Sequence, residues 1–384
     1  MEQLEYIDRT NTDSIKWDNL EAMYGSYDLM PLWVADMDFR APVAVREALS
    51  HYASEGLYGY YMIPDSYYSA FINWEKSIHK LEIEREWIRF SPGVVSAFNW
   101  IIQFMTKESD AIIIQTPVYY PFINAVKDNN RKLITSPLKC DHGQYTIDYD
   151  DFEMKIVNNN VKLFILCSPH NPVGRVWDSE ELTTMLSICK KHGVYVISDE
   201  IHQDLAFKKH IPSLSIKGYD DILFSLTAPS KTFNLAGLQN SIITIADDKL
   251  RKHWDDYTSR LHVTTGNAFG YIAATAAYIH GYEWLSQIKD AILENYVTLK
   301  EGLQEAFPKI EISPLEGTYL MWINLAPYVK PTEIKDFVQK KCKLAVDYGS
   351  WFGGDDYETY IRINLATHND NIVVALKNLT NALS

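Results

Sequence analysis

Four cysteines (Cys140, Cys167, Cys189 and Cys342) are scattered through the 384 residues, and none is spaced as a C-x-x-C pair. That scarcity argues against a disulfide scaffold or a thiolate metal cluster and suits a reducing cytoplasm. No apolar run approaches the roughly 20 residues that cross a bilayer. The nearest, AFGYIAATAAYIHGYEW (268–284), is broken by Gly, Thr, His and Glu and reads as a buried helix of small residues. The first ten residues, MEQLEYIDRT, lack the positive stretch and apolar run of a secretory leader. A basic tract is missing too. With 36 Lys and Arg against 50 Asp and Glu the net charge is −14, which argues against nucleic acid as the partner. No H-E-x-x-H pattern occurs among the 11 histidines. The D-x-D spacing in ADMD (35–38) is an isolated resemblance to a metal site, so no metal is expected.

What is present favours a large folded unit. The apolar fraction of 47% supports a sizeable core. Repeats, low-complexity tracts and Pro/Ser linkers are absent, so any domains must be interleaved. Between about residues 90 and 250, short apolar runs alternate with amphipathic stretches. The runs AIIIQ (111–115), KLFILCS (162–168), GVYVISD (193–199), ILFSL (222–226) and SIITIA (241–246) have the character of strands buried on both faces of a sheet. In DSEELTTMLSICKKHG (178–193), Asp178 and Glu181 form a capping box, Leu182, Met185, Leu186 and Cys189 share one helical face, and Gly193 stops the helix. Strand, helix, strand in this order predicts parallel pairing with right-handed crossovers. Beyond residue 247 long helices follow, then the short strands KIEIS, TYLMWINL, LAVDYG and YIRINLA mixed with helices near 331–341 and 369–382. The expected architecture is α/β, a mostly parallel large unit with a smaller α+β unit. The N-terminal arm, to about residue 47, packs against the smaller one.

Ligands of open parallel sheets gather beyond the carboxyl ends of the strands, and several polar residues fall there. CSPHNPVG (167–174) follows one strand, SDEIHQD (198–204) ends the next, Lys231 follows a third, and SPGVVSAF (91–98) opens a helix after a Pro-Gly turn. Taken singly, Asp199 is explained as a helix cap, Asn171 as turn chemistry before Pro172, and Lys231 as a loop lysine. Their coincidence at equivalent strand ends suggests more. A lysine amine of lowered pKa forms Schiff bases with carbonyls, and a buried carboxylate needs a positive partner. Pyridoxal phosphate pairs both with one ring. Its phosphate would suit the helix start at Gly93-Val94-Val95-Ser96, and TPVYYPF (116–122) offers an aromatic face.

With these pieces in place the chain resembles the fold-type I pyridoxal-phosphate enzymes, within the class I/II aminotransferases. More narrowly, it is similar to the cystathionine β-lyase branch, the MalY/PatB type of C–S lyase. The strings that carry the resemblance are SIKWD (14–18), LWVADMDF (32–39), YGYY (58–61), SPGVV (91–95), TPVY (116–119), SPHNPVGRVW (168–177), SDEIHQD (198–204), SKTFNLAGL (230–238) and YIRINLA (360–366). They span nearly the whole chain in the family's order. The resemblance implies a large cofactor domain at 48–282 and a small domain made of 1–47 with 283–384. It implies Lys231 as the lysine that binds the cofactor and moves the Cα proton, Asp199 at the ring nitrogen, Asn171 at the ring's phenolic oxygen, and Tyr119 stacked on the ring. Val94, Val95 and Ser230 would hold the phosphate, and Tyr60 would reach in from a second subunit. Arg362 would bind the substrate α-carboxylate, with Trp33 facing the same site.

Two positions depart from the common aminotransferase pattern. Gln239 stands eight residues after Lys231, where an arginine often grips the phosphate, and His202 stands three after Asp199, where tyrosine is usual. Both departures resemble the lyase branch and make His202 a cofactor neighbour by position. The activity implied is β-elimination from L-cystathionine or related cysteine S-conjugates by a cytoplasmic homodimer acting on a small amino acid, with neither nucleic acid nor membrane as partner. The same residues would serve an aminotransferase. A regulatory binding protein on this scaffold is the third reading, which the joint presence of Lys231, Asp199 and Asn171 disfavours.

Overall fold

A computed structural model describes residues 4–383, so the first three residues and the last lie outside it. The central sheet has seven strands: β1 (Ile88–Ser91), β2 (Ala111–Ile114), β3 (Lys132–Thr135), β4 (Leu163–Cys167), β5 (Tyr195–Asp199), β6 (Leu223–Thr227) and β7 (Ser241–Thr244). Their spatial order is β1-β7-β6-β5-β4-β2-β3. Every residue of β2, β4, β6 and β7 is buried. The period-2 alternation of a strand explains this. Ile112 and Ile114 join one core with Phe98 and Ile101 of the helix Val94–Met105, while Ile113 joins the core on the opposite face with Met185 and Leu186 of the helix Ser179–Lys191. That second helix begins with the expected capping box of Asp178 and Glu181. It ends where Gly193 takes a φ of +66°, which glycine adopts without steric penalty.

The pairing is parallel at β2–β3, β2–β4, β4–β5 and β5–β6. Strand β7 departs from the expectation and runs antiparallel to both β6 and β1. The chain between β6 and β7 contains only two single turns, Pro229–Thr232 and Ala236–Leu238. A return without a crossing helix gives antiparallel pairing. The edge strands β1 and β3 carry no continuous apolar run. Arg89 of β1 points out to an ion pair with Asp255, and β3 is only half covered.

A second, antiparallel sheet of β8 (Glu311–Ile312), β9 (Leu320–Asn324), β10 (Asp347–Tyr348) and β11 (Tyr360–Asn364) has the order β8-β9-β11-β10. The expected small-residue helix forms as Ala268–His280, and a break at Gly281 separates it from the long helix Tyr282–Ala306. Among the described residues, no helix is long and apolar enough to cross a membrane.

The N-terminal arm does lie on the second sheet's side, where Met30–Pro31 pairs in parallel with Leu344–Ala345. The arm's anchor is ionic. Lys16 Nζ meets Asp38 Oδ2 at 2.7 Å with both side chains fully buried, and Trp17 Nε1 donates to the other carboxylate oxygen at 2.8 Å. Two side-chain amides then hold the arm's backbone. Asn234 Nδ2 donates to the carbonyls of Met37 and Phe39, and Asn364 Nδ2 to those of Val34 and Asp36. Breaking one partner of a buried pair leaves an uncompensated charge, at about 3–5 kcal/mol. Lys16→Met is therefore expected to lower unfolding stability by roughly 3 kcal/mol in a urea titration; an unchanged midpoint would show that Arg9, which stands 3.8 Å from Asp38, takes over the charge.

Candidate active site

Three neighbouring strands deliver the site. Asp199 ends β5, Asn171 lies in the turn after β4, and Lys231 lies on the single turn Pro229–Thr232 after β6. The register pairs Asp199 with Cys167 and Leu226, so these strand ends are level. The short turn at Lys231 is fixed from below. Thr232 Oγ1 donates to Asp204 Oδ2 at 2.7 Å, and the other oxygen of Asp204 contacts Trp74 Nε1 and His79 Nε2 at 2.9 and 2.7 Å. Asp204 closes the SDEIHQD string, yet only the fold reveals what it holds.

Lys231 Nζ donates to the carbonyl of Ala35 on the arm at 2.6 Å, and Tyr319 Oη donates to the same oxygen at 2.7 Å. Burial pushes the Lys231 amine down from its usual 10.5 to about 8, with Asp36 opposing the fall and Arg362 adding to it. Asp199 is 3% exposed, and among the described residues its carboxylate accepts a single hydrogen bond, from the backbone of Ile201 at 3.2 Å. No cation of the described residues forms an ion pair with it. Burial consequently pushes its carboxyl up to about 7. His202 is buried beside the Tyr319 ring, its centroid 5.7 Å away, and its Nδ1 has no hydrogen-bond partner. Burial, reinforced by Lys231 and Arg362, holds the imidazole well below its usual pKa and therefore neutral.

Arg362 of β11 reaches the same place. Its Nη1 donates to Asn171 Oδ1 at 2.9 Å, and Phe352 lies under the guanidinium at 4.8 Å. The backbone N–H of Tyr119 donates to the Asn171 carbonyl at 3.0 Å, which ties the aromatic stretch to the same turn. Val94 and Val95 open the helix Val94–Met105 behind Gly93, with no side-chain cap, so the first-turn N–H groups are available to an anion. A Cβ at Gly93 would meet nothing within 4 Å, which marks open space at that helix start. Ser230 is partly exposed on the Lys231 turn.

The remaining expected residues make no hydrogen bond to this cluster among the described residues. Tyr60 is 112% exposed, beyond its reference state, and the aromatic and apolar residues Leu57, Tyr58 and Met62 around it are exposed as well. The Trp33 ring packs edge-on against Tyr24, and its Nε1 donates to the Lys16 carbonyl at 2.9 Å. Its polar edge therefore serves the arm. Gln239 takes a left-handed φ of +51° on an exposed turn. Sequence reasoning missed Tyr319, the Ala35 carbonyl and Asp347, an acid next to Arg362. The one signal for Asp347 was a charge inside the apolar string LAVDYG.

The set fits pyridoxal phosphate on its own terms. Among the described residues, a buried carboxylate lacks a cation, an amine is held with a lowered pKa, an imidazole nitrogen is buried without a partner, and an uncapped helix start opens onto space. Comparison with known proteins agrees. The chain is 37% identical to cystathionine beta-lyase PatB of Bacillus subtilis over 98% of each sequence. Among solved structures it matches cystalysin of Treponema denticola, which contains a pyridoxal 5′-phosphate cofactor, at 35% identity and a TM-score of 0.94 over 99% and 98% of the two chains. It matches the PLP-bound C-S lyase of Staphylococcus hominis at 33% identity and a TM-score of 0.92 over 99% and 97%. The description of aminotransferase class I and II matches residues 27–379, and the chain belongs to that family.

Proposed function

We propose that this chain is a pyridoxal-phosphate-dependent carbon–sulfur β-lyase that cleaves L-cystathionine or a related cysteine S-conjugate to a thiol, pyruvate and ammonia. The observation that carries the reading is the convergence of Lys231, the cation-free Asp199 and the Arg362–Asn171 pair on level strand ends. Likeness along the whole chain to a cystathionine β-lyase and a C–S lyase supports lyase over transferase.

When bound, the cofactor supplies an electron sink for charge developing at the substrate Cα. The chain's residues do the rest. Asp199 offers a buried negative charge that keeps the ring nitrogen protonated, and Asn171 and His202 border the ring's polar edge. Tyr119 provides a stacking face, and burial holds its hydroxyl neutral. The N–H groups of Val94 and Val95, with the Ser230 hydroxyl, receive the phosphate. Arg362 grips the α-carboxylate and so fixes which Cα bond faces Lys231. The Lys231 amine, deprotonated, removes the Cα proton, and a thiolate departs from Cβ. The division into 48–282 on the cofactor side and 1–47 with 283–384 on the substrate side follows these roles. A homodimer is supported by the exposed Leu57, Tyr58, Tyr60 and Met62, with Tyr60 of one copy reaching the site of the other. A cytoplasmic setting suits four free thiols, three of them buried.

With L-cystathionine, cofactor supplied and no keto-acid acceptor, pyruvate is expected to accumulate over many turnovers. A single stoichiometric conversion that resumes only on adding a keto acid would identify an aminotransferase instead. Lys231→Ala should lower turnover by at least about a thousandfold, the scale of a lost general base, and remove the yellow colour of the bound cofactor. Because the base acts deprotonated, kcat should rise with pH through about 8 and level off above it. A pH–rate profile at saturating substrate that is flat from about pH 6.5 to about pH 9 would exclude Lys231 as the group limiting that step.

A further inference from the structure

Arg362 already has a carboxylate beside it before any substrate arrives. Strands β10 and β11 pair antiparallel with Asp347 directly opposite Arg362, so the two side chains leave the same face of the sheet. Both are buried, and Arg362 Nη2 donates to Asp347 Oδ2. No other donor among the described residues reaches the Asp347 carboxylate. Of the remaining guanidinium nitrogens, Nη1 donates to Asn171, whereas Nε is buried without a partner.

Among the described residues, Arg362 is the one cation bonded to Asp347. Tyr24 from the helix Leu20–Tyr24, Tyr348 on Asp347's own strand, and Tyr119 and Tyr120 at the start of the helix Tyr120–Asp128 surround it, and Tyr319 lies beside Arg362. Burial raises all five hydroxyls above their usual value, so they stay neutral. His202 and Lys231 lie on the other side of Arg362, the first neutral and the second with its pKa lowered. Asp347 is the one carboxylate among the described residues that bonds the fork.

A substrate α-carboxylate entering this fork places two buried carboxylates on one guanidinium. Like charges sharing a dry site drive one of them to take up a proton. On the reading that Arg362 is the carboxylate anchor, we propose that Asp347 couples substrate capture to proton uptake. The hydrogen bond from Arg362 Nη2 to Asp347 gives way to one with the substrate carboxylate, and Asp347 takes one proton from solvent. No other bond changes and no electron moves. Burial has already raised the Asp347 carboxyl to about 6, against the opposing pull of Arg362, so the uptake falls within the working pH range. Asp347 is on this account a positioning residue, acting on substrate through Arg362.

The sign follows from linkage. Binding favours the protonated form, so above the free-site pKa affinity weakens with rising pH by up to about tenfold per unit for one coupled proton. The probe is 3-(methylthio)propionate, which carries the carboxylate and thioether but has no amine to react with the cofactor. Its binding to the cofactor-loaded full chain would be followed by titration calorimetry from about pH 6.5 to about pH 8.5, in buffers of different ionisation enthalpy that report protons taken up. Protons linked to Lys231 are common to wild type and variant, so the difference reports Asp347. Wild type should take up about one proton more per ligand than Asp347→Asn at pH 8, and the variant should bind several-fold tighter there. Equal proton counts and equal pH slopes in the two proteins would overturn the proposal. Infrared difference spectra of wild type alone, on ligand addition, give a second reading if the variant fails to fold. A new protonated-carboxyl band supports the coupling, and its absence sinks it. Arg362→Lys separates the two ideas: unchanged probe affinity in that variant means Arg362 is not the anchor, whereas lost affinity with no Asp347-dependent proton refutes the coupling alone.

Discussion

Asp199 ends its strand with the carboxylate under the surface and no cation of the described residues in bonding range, and this unmet demand governs what the cleft can hold. An isolated carboxylate in such a place is costly, and the group answers by retaining its proton, its pKa raised from the usual 3.8 to about 7. An acid whose folded-state pKa is raised weakens the fold as pH climbs from about 4 to about 7, since the unfolded chain ionises more readily. A cationic ring bound against it removes that penalty. The cofactor is on this account a structural partner as well as a chemical one, and the parallel strands beneath exist at a register that brings Lys231 and Asn171 level with it.

The amine that completes the site depends on the arm. Lys231 meets the Ala35 carbonyl, and Ala35 is held by its neighbours: Asp36 contacts Arg9 at 2.7 Å, Asp38 contacts Lys16, and the amides of Asn234 and Asn364 bridge the intervening carbonyls. Asn234 follows Lys231 by three residues and Asn364 follows Arg362 by two. One short stretch of arm thereby reports on the placement of both Lys231 and Arg362. A buried ion pair is weak evidence for stability as such. Here its use is geometric, since an apolar pair would pack as well without fixing the direction of the carbonyl.

Much of this was legible before any coordinates. The apolar runs at 111–115, 162–168, 193–199, 222–226 and 241–246 became strands because continuous burial leaves no other use for β-branched and aromatic residues at that length. The capping box at Asp178 is local chemistry and formed as expected. The direction of β7 was not legible, because it depends on whether the intervening chain contains a crossing helix, and the turn around Lys231 does not. Edge strands β1 and β3 escaped because an edge needs only one covered face. Lys231, Asp199 and Asn171 stood out by their coincidence at strand ends and Arg362 only through the family resemblance, and the fold brings the four together. Asp347 and Asp204 act through cross-strand register and long-range hydrogen bonds, which no local window contains. Trp33 was assigned by neighbourhood; its indole N–H bonds the Lys16 carbonyl, and its ring packs on Tyr24.

On the proposed reading the residues named so far would hold a substrate equally well for elimination or transamination, so the balance between the two would rest on how long Lys231 remains a free base beside a charged ligand. Arg362 lowers the lysine's pKa, and Asp36 and Asp199 raise it. Adding a substrate carboxylate with no compensating proton would make this neighbourhood more negative and return Lys231 toward its protonated form. If Asp347 instead surrenders its charge as the substrate's arrives, the charge felt at Lys231 is nearly the same before and after binding. The pairing of Asp347 with Arg362 then does for the base what the cation does for Asp199: it lets a charged ligand enter a low-dielectric cleft without disturbing the titration of the group that must act on it.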